Sequence, residues 1–261
     1  MEPSLSVITI CFNNLPELVA TCASVDAQEQ HPDEHLIVDG STDERIVNWL
    51  SSNPQPVYRR WIHERDHGIS DAFNKGITHS RGEITHLLNS GDRYYAPGAI
   101  AMVIQAFSTD AQLQWVHGLY VQHRGGVDVI SGTRFDAAQL WKGMRTVAHP
   151  TMFIRRDCYE KHGLYNTDLK VAMDYDLLLR IRNEKFAFIR SPMVYFAPGG
   201  ASHIQFEKGL SEVRNSYRQH VGRSWKQTLW QTRQRLLHGL METGVGRRLF
   251  AFKNRKKTVT A

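Results

Sequence analysis

Residues 5–43 read LSVITICFNNLPELVATCASVDAQEQHPDEHLIVDGSTD, and the order of patterns in this stretch decides the fold class. Leu5–Ile10 is a short apolar, β-branched run, the mark of a strand. Leu15–Ala27 reads as an amphipathic helix, and His35–Val38 as a second strand. Strand, helix and strand in this order form a βαβ unit, which builds a mostly parallel sheet flanked by helices.

The alternation continues outward from that unit. A helix is expected near Glu44–Ser51, a strand at Val57–Ile62, a helix at Ile69–His79 and a strand at Ile84–Leu88, which together make a Rossmann-like half. Beyond Pro97 the order loosens. A helix is expected at Ala99–Phe107, strands near Gln114–Val121, Val127–Ile130 and Thr151–Ile154, a helix from Arg156 and another over Tyr175–Asn183. From Phe206 onward Leu210, Val213, Tyr217 and Val221 recur at helical spacing, followed by Trp225, Leu229, Leu236 and Leu240.

With 261 residues, 41% hydrophobic and 22% charged, the chain has ample material for one large α/β domain and no resemblance to a disordered or collagen-like polymer. Cys11, Cys22 and Cys158 are an odd, widely spaced set without a CxxC pair, so neither a disulfide framework nor a thiolate zinc site is expected. The uncharged stretch Tyr94–Thr109 contains Pro97, Gly98 and Gln105 and falls short of a membrane span. Met1-Glu2-Pro3 leads directly into the first strand without the basic and apolar regions of a secretory signal, and a cytoplasmic location is expected. The net charge of +6 is unevenly placed. Residues 205–261 hold thirteen Lys/Arg against Glu207, Glu212 and Glu242, a net +10, while the first 204 residues carry a net −4. The expected organisation is a catalytic domain over 1–204 and a basic, amphipathic helical region over 205–261. Trp225, Leu229, Trp230, Leu236 and Leu240 accompany Arg223, Lys226, Arg233 and Arg235 there, and Arg247 and Arg248 lead toward the Lys253–Lys257 cluster. This pattern points to peripheral attachment at the inner face of the membrane, against the alternative of a packed helix with a solvated basic end.

In an open parallel sheet, ligands bind beyond the carboxyl ends of the strands. Three acidic segments fall at such places or at a helix start. Asp39-Gly40-Ser41-Thr42-Asp43 follows the second strand and is also readable as a turn with a helix cap. Asn89-Ser90-Gly91-Asp92 follows Ile84–Leu88; its carboxylate suits a hard divalent cation, although these are also ordinary turn residues. Asp174-Tyr175-Asp176 opens a helix, where two acids favour the helix dipole or one serves as a general base. The histidines show no paired metal spacing, and His149 and His203 are read as structural hydrogen-bonding residues.

These segments, taken in order, resemble a family 2 glycosyltransferase of the GT-A fold. The most specific segment is Glu64-Arg65-Asp66-His67-Gly68-Ile69-Ser70-Asp71-Ala72-Phe73-Asn74-Lys75-Gly76-Ile77. Around it, Ser6–Ile10 resembles the opening strand, Val38–Asp43 the acidic glycine loop and Leu88–Asp92 a form of the metal motif. His149-Pro150-Thr151, Ala172–Asp176 and Gly199-Gly200-Ala201-Ser202 are similar to later family segments. The resemblance covers residues 5 to about 203 and is shared with colanic-acid and other exopolysaccharide transferases.

The resemblance implies an inverting transfer from a nucleotide-sugar donor to a glycan, in particular a lipid-linked intermediate of a surface polysaccharide. It implies Thr9 and Asp39 as nucleotide contacts, with Asp66, Asp71, Asn74, Lys75, Ser90 and Gly91 around the donor. Asp92 is implied as the ligand of Mg2+ or Mn2+, and Asp174 as the catalytic base. The chain departs from the family pattern twice: the Asp39 loop is one glycine shorter, and the metal motif keeps a single carboxylate. A sugar-nucleotide nucleotidyltransferase is the competing enzyme class, but Cys11-Phe12-Asn13-Asn14 is not the glycine-rich, basic loop such an enzyme needs. A nucleic-acid-binding protein is the competing non-enzyme class, and the basic tail lacks a reading motif, so no nucleic-acid partner is expected.

Overall fold

The structure, a computed structural model, describes residues 2–124, 126–197 and 205–243. Strand β1 (Leu5–Cys11) is buried at all but one position and β2 (Glu34–Asp39) at every one. Strands covered on both faces are mainly apolar, which explains the β-branched runs, and the polar residues they bury, Ser6, Thr9, Glu34, His35 and Asp39, are hydrogen-bonded. On either side of β1 lie β2 and β4 (Ile84–Leu87), with β3 (Arg59–His63) outside β2, and all four are parallel. Helices α1 (Leu15–Asp26), α2 (Arg45–Ser52) and α3 (Ile69–His79) make the connections, each element within two residues of its expected bounds.

Beyond β4 the sheet becomes mixed. The remaining strands are β5 (Arg93–Tyr94), β6 (Trp115–Arg124), β7 (Val127–Ser131), β8 (Phe153–Arg155) and β9 (Phe186–Tyr195), and the path runs β3-β2-β1-β4-β8-β6-β9-β5 with β7 beside β6. Strand β8 is antiparallel to both β4 and β6, whereas β9 is parallel to β6. Strand β9 has no counterpart in the sequence reading. Arg190 and Pro192 break its apolar run, and Pro192 sits opposite Leu119, where the register of the ladder shifts. A proline lacks the N–H a regular ladder needs, so an irregular pairing tolerates it.

The sheet separates two apolar layers. Leu5 and Val7 of β1 pack with Ile100, Val103 and Phe107 of α4 (Ala99–Thr109). Ile8, one residue along, packs on the other face with Phe73 and Ile77 of α3 and the leucines of α6 (Met173–Ile181), in accord with the two-residue period of a strand. Helix α5 (Arg156–His162) adds Cys158 and Tyr159 to that face.

Two further helices, α7 (Phe206–His220) and α8 (Trp225–Glu242), pack onto this body. The buried Glu212 of α7 accepts hydrogen bonds from the backbone N–H groups of Lys170, Val171 and Ala172, and His220 Nε2 lies 2.9 Å from Asp176 Oδ1. Helix α8 is turned opposite to the usual amphipathic sense. It buries Gln227 and Gln231, and it exposes Trp225, Leu229, Leu236 and Leu240. Among the described residues no helix is long and apolar enough to cross a membrane. The expected Gly199–Ser202 segment, His203, Arg247, Arg248 and the Lys253–Lys257 cluster lie outside the described residues.

Gly76 sets the distance between α3 and the sheet, because a Cβ there would stand 2.3 Å from Ile8 Cγ2. Gly76→Ala gains up to ~1 kcal/mol of helix propensity, but overpacking a filled core costs roughly 1–3 kcal/mol and prevails. Denaturant unfolding is expected to show a net loss of stability; an unchanged midpoint would mean that the helix simply shifts outward.

Candidate active site

The carboxyl ends of β1, β2 and β4 open into one cleft of about 470 Å³, lined by Ile10, Cys11, Phe12, Asn14, Asp66, Gly68, Ile69, Ala72, Asn89 and Ser90. The loops after β1 and β2 are held together at Asn13, which takes up a positive φ of 53°, a conformation asparagine tolerates. Its N–H donates to Ser41 Oγ at 2.8 Å and its side-chain oxygen accepts from the Thr42 N–H at 3.3 Å. Gly40 has no room for a side chain, since a Cβ would fall 1.8 Å from Asp66 Oδ2. This close approach brings the Asp66 carboxylate, which also accepts from the Gly68 N–H at 2.9 Å, over the end of β2.

Of the residues that the family resemblance places around the donor, Asp66 and Ser90 line this cleft, and most of the others brace it from behind. Thr9 is fully buried in the sheet with its hydroxyl 3.0 Å from His35 Nε2. Arg59 donates to His35 Nδ1, which leaves the imidazole proton on Nε2 to be donated to Thr9. Asp39 is also fully buried, its Oδ1 accepting from the Ser41 N–H at 3.0 Å and its Oδ2 lying 2.8 Å from His63 Nδ1. Asp71 accepts from the His67 N–H in the first turn of α3, and Lys75 donates to the Arg65 carbonyl at 2.6 Å and pairs with Glu64 at 2.7 Å. Asn74 reaches across the molecule, donating to the Tyr165 carbonyl and accepting from the Tyr165 N–H, both at 2.9 Å. These five residues therefore shape the cleft without forming its wall. Conversely, Ile10, Cys11, Phe12, Asn14 and Ile69 line it although the sequence reading did not select them. Their signal was positional, directly after the first strand and at the start of α3.

The turn after β4 is tightly determined. Gly91 adopts a φ of 104°, which favours glycine, and its N–H donates to Thr21 Oγ1, whose own proton goes to the Asp92 carbonyl at 2.7 Å. Asp92 is 2% exposed; its Oδ1 accepts from the Ala197 N–H at 2.9 Å, while its Oδ2 has no partner. Asn89 Oδ1 and Ser90 Oγ are likewise buried and unpartnered. Burial pushes the Asp92 carboxyl up to about 7 against the opposing pull of the Ala197 N–H. Three unpartnered oxygens on one turn are of the hard donor type that Mg2+ or Mn2+ prefers. No group of three or more His, Cys, Asp or Glu side chains capable of enclosing a metal is found among the described residues.

A second cleft, of about 340 Å³, lies where α6 and α7 meet and includes His149, Asp174, Phe196 and Phe206. Asp174 stands in the first turn of α6 with 26% of its side chain open and Oδ1 unpartnered. His149 Nε2 is 3.5 Å from that oxygen and 3.1 Å from the Tyr165 hydroxyl, and its ring stacks on Phe73. Desolvation raises the Asp174 carboxyl above its ordinary value, partly offset by the nearby imidazole. Asp176, two residues on, is occupied: Arg180 Nε lies 3.0 Å and His220 Nε2 2.9 Å from its two oxygens. Just past the end of β9, the Ala197 N–H holds Asp92 and the neighbouring Phe196 lines the Asp174 cleft.

The model of Glycosyl transferase family 2 matches residues 6–163, and the chain belongs to that family. An uncharacterised glycosyltransferase of Mycobacterium tuberculosis is 33% identical over 180 residues, covering 68% of each chain. The PGL/p-HBAD biosynthesis glycosyltransferase of Mycobacterium bovis is 28% identical over 180 residues, 68% of this chain and 69% of the relative. Among solved structures, the Pyrobaculum calidifontis mannosyltransferase PcManGT in complex with GDP-Man and Mn2+ superposes with a TM-score of 0.65 at 16% identity, covering all of this chain and 82% of that one. Staphylococcus aureus TarS 1-349 in complex with UDP-GlcNAc gives 0.63 at 14% identity, covering 86% and 69%. These likenesses establish the fold as GT-A.

The state of Asp92 has a consequence for stability. The unfolded chain ionises this carboxyl near 3.8 and the folded one near 7, so between those values the fold holds the extra proton and rising pH favours unfolding. In cation-free buffer Asp92→Asn is expected to raise the melting temperature at pH 8 and to change it little near pH 4. Equal effects at both pH values would contradict the buried, unpaired carboxylate.

Proposed function

We propose that the protein transfers a sugar, with inversion, from a nucleotide-sugar donor to a glycan acceptor, in particular a lipid-linked intermediate of a surface polysaccharide. The observation that carries this reading is the Asp174 side chain, 26% open on a cleft, with one oxygen buried 3.5 Å from His149 Nε2 and no hydrogen bond to it. An acceptor hydroxyl is a poor nucleophile until a base takes its proton, and a carboxylate with a raised proton affinity is suited to that task near neutral pH. His149, 3.5 Å from the carboxylate, limits the rise. Asp176 is the wrong candidate because its oxygens are already engaged by Arg180 and His220.

On the donor side, Ile10, Cys11, Phe12 and Asp66 receive the nucleoside, with the narrow gap at Gly40 setting the depth of the cleft. Asp39 supports this wall through Ser41 and His63. Asp92, with Ser90 and Asn89 beside it, would hold the divalent cation against the diphosphate. When bound, that cation supplies a Lewis acid for the charge developing on the leaving diphosphate. Solved relatives of the same fold described with GDP-Man and Mn2+ and with UDP-GlcNAc support a donor of this class.

The basic region 205–261 is read as the membrane-facing part, which supports a site on the cytoplasmic side working on lipid-linked acceptors. The outward Trp225, Leu229, Leu236 and Leu240 support this assignment. Liposome co-sedimentation is expected to show salt-sensitive preference for anionic over neutral vesicles, lost on truncation before Arg223; no such preference would sink the membrane assignment.

The transferase reading is tested by incubating the purified protein with labelled UDP-, GDP- and dTDP-sugars, Mn2+ and membrane extract. Transfer of label to a glycan is expected. Asp174→Asn should keep nucleotide affinity and lower turnover roughly 10²–10⁴-fold. Near-normal turnover of this variant would move the base elsewhere.

A further inference from the structure

Beside α8 runs a groove of about 840 Å³ whose walls are Trp141 and Lys142, Arg145, and from α8 itself Trp225, Lys226, Trp230 and Arg233. No Asp or Glu lines it. None of its four cations forms an ion pair with a carboxylate among the described residues. Instead Lys142 stands over the Trp141 ring at 4.8 Å, Arg145 over Trp230 at 5.2 Å and Lys226 over Trp225 at 6.0 Å. Trp225 is 73% and Leu229 64% exposed, so the groove offers apolar surface and unpaired positive charge side by side. Such a combination of exposed apolar surface and cations is complementary to an anion with an apolar body.

Arg145 ties this groove to the rest of the molecule, because it also lines the cleft that contains Asp174. Its guanidinium donates to Gln234 Oε1 at 3.2 Å, which fixes it between the two depressions. We propose that the groove binds the phosphate-bearing head of an amphiphilic acceptor: the phosphate lies among Lys142, Arg145, Lys226 and Arg233, the apolar chain lies along Trp225 and Leu229, and the sugar end reaches Asp174. The proposal rests on the reading of Asp174 as the acceptor-side base. It adds to it the chemistry that selects the acceptor, an anionic group a fixed distance from the reacting hydroxyl. Guanidinium and ammonium groups stacked on indoles are well suited to phosphate, since the rings hold the cations in place without neutralising them.

Farnesyl diphosphate is a soluble probe of this chemistry, read by quenching of the indole fluorescence of the full-length protein. The wild type is expected to bind it at least roughly tenfold more tightly than either farnesol or inorganic diphosphate, since neither carries both features. Arg145→Ala, and separately the exposed pair Lys226→Ala with Arg233→Ala, should each weaken binding by roughly threefold to tenfold. Titration of the same variants with UDP and GDP in the presence of Mn2+ should match the wild type, which shows that the fold is intact. Equal affinity for farnesol, equal affinity for inorganic diphosphate, or no effect of the charge removals would overturn the proposal. So would a response confined to phosphatidylglycerol vesicles, which would make the face a general membrane contact. Failure of the wild type to bind either nucleotide while farnesyl diphosphate binding behaves as expected would count against the transferase reading and leave the groove standing.

Discussion

Two hydrogen bonds between the side chain of Asn74 and the backbone of Tyr165 hold the halves of this molecule in register. Asn74 lies on the helix that packs over the parallel strands, and Tyr165 begins the loop that leads to Asp174. An amide that both donates to and accepts from one residue leaves that residue little freedom to slide or rotate. Ser70 adds a contact to the Leu169 carbonyl one turn earlier. From the other side, Glu212 gathers the N–H groups of residues 170–172 just ahead of α6, placing negative charge where the helix dipole favours it. The position of the proposed base is thus fixed from two directions by groups that never touch a substrate.

This arrangement shows why the segment Glu64–Ile77 was so informative in sequence: most of its polar residues have structural partners. Asp71 and Lys75 staple the approach to α3, Asn74 and Ser70 reach to the distant loop, and Asp66 lines the cleft at the strand ends. Motif spacing identifies the family because the whole staple is needed, but it does not say which side of the cleft wall a residue occupies. The parallel half was legible because each of its two central strands keeps a short apolar, β-branched core, Val7–Ile10 broken only by Thr9 and Leu36–Val38 unbroken, despite buried polar residues beside it. Strand β9 was not, since Pro192 and Arg190 interrupt its pattern and its pairing depends on the irregular ladder of β6. The outward face of α8 is legible only once the burial of Gln227 and Gln231 is known, because the helical period shows an apolar stripe without showing where it points.

The two aspartates at the start of α6 illustrate how environment divides labour between like residues. Asp176 is buried against an arginine and a histidine and acts as a structural anion. Asp174, two positions earlier and one face away, has a buried oxygen without a hydrogen bond, 3.5 Å from the His149 imidazole, while its side chain as a whole stays 26% exposed. Asp92 repeats the second pattern on the other side, held by one backbone N–H and otherwise unpaired. Charges left without partners in low-dielectric surroundings are costly to the fold and are held there by the packing around them.

Glu212 also carries a meaning in time. It lies 38 positions after Asp174, yet it fixes the backbone immediately before that residue. A chain made from its amino terminus completes its parallel strands long before Glu212 exists. A nascent polypeptide stopping short of α7 would have the strands that line the first cleft and lack the contact that holds the segment before Asp174. Synthesis therefore orders the two clefts, the first arising with the parallel strands and the second braced only as the helical region folds back.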